Sequence, residues 1–269
     1  MSTALRRFAV GLEYDGTRYA GWQSQPGLPT IQDGLQQALS SVADHPVAAI
    51  AAGRTDAAVH ATGQVAHFDT SADRPLRGWL LGANTHLPTD IALTWAMEVD
   101  RDFHARYTAI ARSYRYCLLQ RATRPVLLRD RVCWVRAALD VAAMNEAAQL
   151  LVGEHDFSSF RAVECQSPTA KRHVDEIVVS GDSALVTIEI TANAFLQHMV
   201  RNIAGSLLQV GEGKRPPNWI GEILAARDRS RAGVTAPAAG LYLWKVRYPP
   251  SLQVPDLVPA GPWAMIAGA

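Results

Sequence analysis

Arg54 and Asp56 stand two residues apart, followed by His60, in the stretch Ala52-Gly53-Arg54-Thr55-Asp56-Ala57-Ala58-Val59-His60-Ala61-Thr62-Gly63-Gln64-Val65. A carboxylate beside a fixed cation is kept ionised by charge and hydrogen bonding, and can then serve as nucleophile or base. On an extended segment the two side chains share one side. An Arg-x-Asp pair without context is ordinarily a surface ion pair. Here it falls between an apolar run, Val47 to Ala52, and an alternating run, Gln64 to Phe68. Loops held by rigid strands commonly carry chemistry. His60 reads as a group that bonds the loop or a phosphate, and Asp69 as structural. No obvious second acid lies near Asp56, which disfavours glycoside hydrolysis by paired carboxylates.

Other chemistries leave marks that are absent here. Gly211-Glu212-Gly213-Lys214-Arg215 lacks the spacing and the Ser/Thr of a phosphate-binding loop, no GxGxxG follows a strand, and no GxSxG elbow occurs. His60, His67, His104 and His198 form no metal-ligand pattern. The three cysteines, Cys117, Cys133 and Cys165, are widely spaced without a paired CxxC. No metal and no cofactor are expected, and a reducing cytoplasm fits best. The apolar run Phe8 to Leu12 is stopped by Glu13, and no stretch approaches the roughly 18 apolar residues of a membrane span. The chain is expected to be neither secreted nor membrane-embedded.

The elements that must position the pair read, over the first hundred residues, as strand 7–14, helix 30–40, strand 47–53, strand 64–69, helix 74–82 and strand 91–98. That order, βαββαβ, is the ferredoxin-like split βαβ. Thr30 with Asp33 supplies a cap for the first helix, and Asp73 with Pro75 opens the second. The second half repeats the plan less cleanly: strand 112–119, a short strand near 132–136, helix 140–152, strands 174–180 and 184–191, helix 194–210 and strand 241–247. A further helical turn is expected at 217–226. In helix 194–210, Leu196, Met199, Val200, Ile203, Leu207 and Val210 form one stripe, with His198, Arg201, Asn202 and Gly205 opposite. The domains expected are 1–105, 106–248 and a Pro-rich tail, 249–269, irregular and either docked or mobile.

With 269 residues, 48% hydrophobic and 19% charged, the chain has an ordinary globular composition, and its net charge of +1 is not that of a generic nucleic-acid binder. A polyanion would need a local patch. From Arg101 to Arg136 there are nine arginines against two acids, Asp102 and Asp130, interleaved with Phe103, Tyr107, Tyr114, Tyr116 and Trp134. Arginine forks grip phosphates and aromatic faces stack bases. The alternative is a solvated arginine-rich strand pair.

The loop closely resembles the active-site motif of the TruA family of tRNA pseudouridine synthases, Gly-Arg-Thr-Asp-Ala-Gly-Val-His followed by Gly-Gln-Val. Similar stretches recur in family order: Tyr14-Asp15-Gly16-Thr17 with Gly21-Trp22-Gln23, Ala111 to Tyr116, Asp156 to Arg161, Asn193 to Leu196 with His198 to Asn202, and Gly240 to Leu243. One departure is Ala58, where the family has glycine; alanine there is strained if its φ is positive.

The resemblance implies an α+β pseudouridine synthase fold: two ferredoxin-like halves, an extended sheet, helices on one side and a central RNA-binding cleft. It implies conversion of uridine to pseudouridine at positions 38 to 40 of the tRNA anticodon arm by a homodimer. Asp56 becomes the catalytic carboxylate, acting on sugar or base or on a ribose proton. Arg54 either holds Asp56 ionised or meets a backbone phosphate. By motif, Tyr114 stacks on the target base, Arg201 is the second active-site arginine, and Leu241 is an apolar wall of the uracil pocket. The rival readings are a non-catalytic RNA-binding protein on the same scaffold and a small-molecule nucleosidase.

Overall fold

A computed structural model describes residues 5–181, 184–256 and 261. Ten strands and five α-helices among the described residues make a mixed α+β fold. The contacts divide the described residues into two compact units, one built from 5–110 and 243–256, the other from 111–181, 184–242 and 261.

The first unit follows the βαββαβ order. Its strands are β1 (Arg6–Tyr14), β2 (Ala49–Ala51), β3 (His60–Thr70) and β4 (Ile91–Val99), and its helices are α1 (Ile31–Ala43) and α2 (Ala83–His86). The sheet order is β4-β1-β3, with β2 and the late strand β10 (Leu241–Arg247) both on β3; the β1–β4, β1–β3 and β2–β3 pairs are antiparallel. Thr30 caps α1 by accepting from the Asp33 amide, while Asp44 closes it in a left-handed conformation. Polar residues of α1 then complete β2: Gln36 accepts from Ala49 N, Gln32 donates to Ala49 O, and Ser40 accepts from Val47 N. The helix expected at 74–82 runs over 76–86: the Gly78 and Trp79 amides donating to Pro75 O open it, and a π-helical turn Gly78–Gly82 carries it into α2.

Strand alternation gives this sheet two apolar faces. On one, Phe8 and Phe68 stack at 5.6 Å beneath Trp79, 5.4 and 5.1 Å away. On the other, Ala9, Val65, Phe103, Ala105 and Tyr248 are buried, with Leu252 and Val254 packed against them. The start of the expected tail is therefore irregular and docked; its residues 257–260 and 262–269 lie outside the described part.

The second unit holds β5 (Ala111–Gln120), β6 (Cys133–Val135), α3 (Val141–Gln149), β7 (Gly153–Asp156), β8 (Lys171–Gly181), β9 (Leu185–Ala192), α4 (Met199–Gly211) and α5 (Trp219–Ala226). Its antiparallel order is β5-β9-β8-β7, with β6 parallel to β5. Strand β7 was not anticipated, because Gly-Glu-His-Asp carries no apolar alternation and is held by edge pairing with Lys171 to Val174. The helix expected from 194 begins only at Met199, since His198 is left-handed at φ 62° and interrupts it.

The expected polar face of α4 is also corrected. Asn202 is fully buried, donating to Phe160 O and accepting from Arg229 and Thr235. Gly205 lies so close to Val234 that a Cβ would sit 1.8 Å from its carbonyl oxygen. The irregular segment 228–236 thus covers the side opposite the apolar stripe.

One buried group of the first unit makes stability pH-dependent. His67 accepts from Ala105 N, stacks near His104 at 4.7 Å, and has its pKa lowered to about 4 by burial, then by His104 and Arg7. The unfolded chain takes up this proton below about pH 6.5, whereas the native state refuses it until about pH 4. This stabilising contribution is complete above the first value and is lost as pH falls through that window. Thermal unfolding across pH 7 to 4 should show a steeper fall in Tm for wild type than for His67→Asn, which keeps the acceptor without the titration.

Candidate active site

Arg54 and Asp56 occupy an irregular loop between β2 and β3, with Arg54 exposed and Asp56 half-buried. The backbone beneath them is fixed by buried polar groups. Tyr14 Oη and Thr55 Oγ1 share a 2.9 Å hydrogen bond, and Gln64 donates to Gly53 O at 2.7 Å and to Tyr14 Oη at 3.4 Å. Burial pushes the Tyr14 pKa up to about 12, so the phenol stays neutral and keeps its hydrogen-bonding proton. Gly53 and Thr55, just before Asp56, are thereby tied to β3 and β1.

A second clamp comes from the segment after β1. Trp22 N donates to Thr55 O at 3.0 Å and Ala58 N to Tyr19 O at 3.2 Å. Gly21 permits this approach: its φ is +101°, and a Cβ there would lie 2.6 Å from Thr55 O. His60 is buried, with Nδ1 accepting from Gly16 N at 3.1 Å and lying 3.2 Å from Asp15. It bonds the loop. Asp69, at 2.7 Å from Arg7, has its carboxyl held below the usual range by that hydrogen bond and is structural.

Ala58 has φ 60°, a left-handed conformation that glycine would adopt without a Cβ penalty. Alanine bears the strain and the turn closes nonetheless, with Val59 N donating to Asp56 O at 3.2 Å.

Tyr114, Arg201 and Leu241 belong to the second unit. Tyr114 is buried on β5, opposite Ile190 of β9, with its ring edge-on to Phe195 at 4.9 Å. Phe195 reaches it because α4 has not yet begun. Arg201 Nε donates to Ala236 O at 2.8 Å, and Ala236 N returns a bond to Arg201 O at 3.1 Å. The next residue, Pro237, accepts from Tyr116 Oη at 2.8 Å, and the chain then enters β10 at buried Leu241. The segment 236–241 therefore brings Arg201, Tyr116 and Leu241 into one framework. Tyr116 is a core residue, its pKa raised by burial.

The arginine-rich stretch is sorted by the fold. Arg112 is buried and donates to Asn193 O, while Arg115 pairs with Glu189 at 2.5 Å, so these two serve β5–β9. Arg101, Arg106, Arg121, Arg124 and Arg136 are exposed. No motif assigns a role to Tyr14 or Gln64. The signal was available: both sit at inward positions of alternating strands, where a buried polar side chain must find partners. No group of three or more His, Cys, Asp or Glu suited to a metal occurs among the described residues.

The chain matches the family model described as tRNA pseudouridine synthase over residues 12–108 and 147–249. It is similar to tRNA pseudouridine synthase A of Aeromonas hydrophila, with 53% identity over 256 residues covering 95% of each chain. The enzyme of that name from Pseudomonas aeruginosa is 50% identical over 256 residues, covering 95% of this chain and 90% of that one. For its Coxiella burnetii counterpart the identity is 50% over 259 residues, with coverages of 96% and 99%.

Two substitutions probe the loop. Ala58→Gly removes a left-handed penalty of about 1–2 kcal/mol but adds unfolded-state freedom, for a net gain of about 0.5–1 kcal/mol. Tyr14→Phe leaves Thr55 without its buried partner and should lose about 1–2 kcal/mol. Urea unfolding should show the midpoint rising for the first and falling for the second, with unchanged m-values.

Proposed function

The chain belongs to the tRNA pseudouridine synthase family, and on that premise we propose that it isomerises uridine to pseudouridine at positions 38 to 40 of the tRNA anticodon arm, with Asp56 as its catalytic carboxylate. The observation that carries the assignment of Asp56 is its loop: the backbone is bolted at Thr55 and Gly53 by buried hydrogen bonds, while the carboxylate and the Arg54 guanidinium retain exposure. A rigid backbone under reactive side chains lowers the cost of holding them in register with a substrate.

The reaction breaks the bond from ribose C1′ to uracil N1, turns the base, and joins C1′ to C5. The C5 proton leaves and N1 gains one, so atoms and electrons balance without any redox partner. Asp56 answers the central need, either by attacking sugar or base or by removing a ribose proton. Arg54 orients that carboxylate or meets a backbone phosphate, and Arg201 is the second arginine of the site. Tyr114 stacks on the uracil, and Leu241 forms an apolar wall that retains it after cleavage.

The target base must leave its stack, at a cost of a few kcal/mol that phosphate contacts and stacking offset. Salt weakens such binding strongly. We assign a cytoplasmic setting and a homodimeric state, in which a nearly neutral chain doubles its local basic patch. A sedimentation profile that stays monomeric at working concentration overturns the dimer.

The function is tested with unmodified tRNA transcript tritiated at uracil C5. Wild type should release tritium, and Asp56→Asn should reduce release by roughly 10⁴-fold or more. No release by wild type with tRNA still bound would instead identify a non-catalytic RNA-binding protein. Turnover of free nucleoside with indifference to tRNA would identify a nucleosidase.

A further inference from the structure

Of the aromatic residues interleaved with the arginines after residue 100, Phe103, Tyr114 and Tyr116 are buried, whereas Tyr107 is 75% exposed. That exposure is not the exposure of a loose side chain. Tyr107 stacks on His104 with ring centroids 4.2 Å apart and planes 28° from parallel, and His104 in turn lies 4.7 Å from the buried His67 ring. The three rings form a ladder from the core of the first unit to its surface.

The backbone under the ladder is equally determined. His104 Nδ1 accepts from the amides of both Arg106 and Tyr107 at 3.2 Å, which leaves the ring proton on Nε2. Thr108 donates to His104 O through both its amide and its hydroxyl, at 3.0 and 2.7 Å. Between them, Ala105 is fully buried, donating to His67 and accepting from Tyr248 at 2.7 Å. Burial and Arg7 lower the His104 pKa, so the supporting ring is neutral near pH 7. The Arg106 guanidinium carbon lies 5.7 Å from the Tyr107 ring centroid, placing a cation beside the exposed face.

A rigid exposed aromatic ring with an adjacent guanidinium is what an unpaired nucleotide needs: a face on which to stack and a partner for its phosphate. Because the ring is already ordered, little conformational entropy is lost on docking. We propose that Tyr107, braced by His104 and flanked by Arg106, is a docking platform for an unpaired nucleotide of the RNA substrate, additional to the residues assigned to the target uridine. The platform rests on the reading of the chain as a tRNA-modifying enzyme.

Unmodified tRNA transcript is titrated against full-length wild type, Tyr107→Ala, Tyr107→Phe and Arg106→Gln at several salt concentrations, and tritium release is measured in parallel. Tyr107→Ala should weaken binding and raise KM about 5- to 100-fold with kcat at saturation unchanged, while Tyr107→Phe stays close to wild type. Arg106→Gln should reduce the slope of log affinity against log salt by about one. A blunt RNA duplex should bind wild type and Tyr107→Ala alike. Since the ring is mostly exposed, Tyr107→Ala should keep the wild-type Tm, which separates lost docking from lost folding. Binding of tRNA by Tyr107→Ala within twofold of wild type overturns the platform alone, as does an equal loss of duplex binding. Failure of wild type itself to bind or convert tRNA overturns the underlying reading, and the platform with it.

Discussion

The requirement that buried polar groups be paired governs the loop that carries Arg54 and Asp56. Tyr14 and Gln64 project inward from β1 and β3, where an unpaired phenol or amide would cost more than a surface hydrogen bond contributes. Their partners are Thr55 and Gly53 on the loop itself. The groups that satisfy the core are therefore the groups that fix the loop, and the rigidity of the sheet passes directly to the residues that lead into Asp56. The approach of Gly21 to Thr55 closes the same loop from the other side.

In the second unit the corresponding constraint is Asn202. By engaging Phe160, Arg229 and Thr235, it joins the 156–161 turn, α4 and the 228–236 segment into one body. Ser206 adds to it, donating to Asn202 O and accepting from Gly233 N. Arg201, one position earlier in α4, is then directed by its bonds with Ala236 instead of standing as a solvated helix arginine. The motif-like stretches that seemed separate along the sequence meet through these polar contacts.

Isomerisation of a nucleoside asks for little chemical machinery but for strict placement, and the molecule's unusual local features serve placement. Ala58 is a case in point. Its left-handed backbone stores about 1–2 kcal/mol, a strain tolerated because bonds from Ala58 N and Val59 N lock the turn. The ordered rings of Tyr107, His104 and His67 show the same economy at the surface: the core ring determines where the exposed ring stands.

Sequence by itself determined the mixed α+β class, the βαββαβ order of the first unit, the cap at Thr30, and the loop position of Arg54 and Asp56. These follow from local chemistry: hydrophobic period, capping side chains and a motif of contiguous residues. Tertiary structure alone decided the start of α4 at Met199, the burial of Asn202 and Gly205, the edge strand β7, and the division of the arginines between internal pairs and exposed positions. Each of those depends on a partner far along the chain: Val234 against Gly205, Arg229 on Asn202, Lys171 to Val174 beside β7, Glu189 opposite Arg115. Periodicity tells which side of a helix is apolar, but not whether a later segment will cover the other side. That is a matter of where the chain returns, and it is settled by packing and by the pairing of buried polar groups.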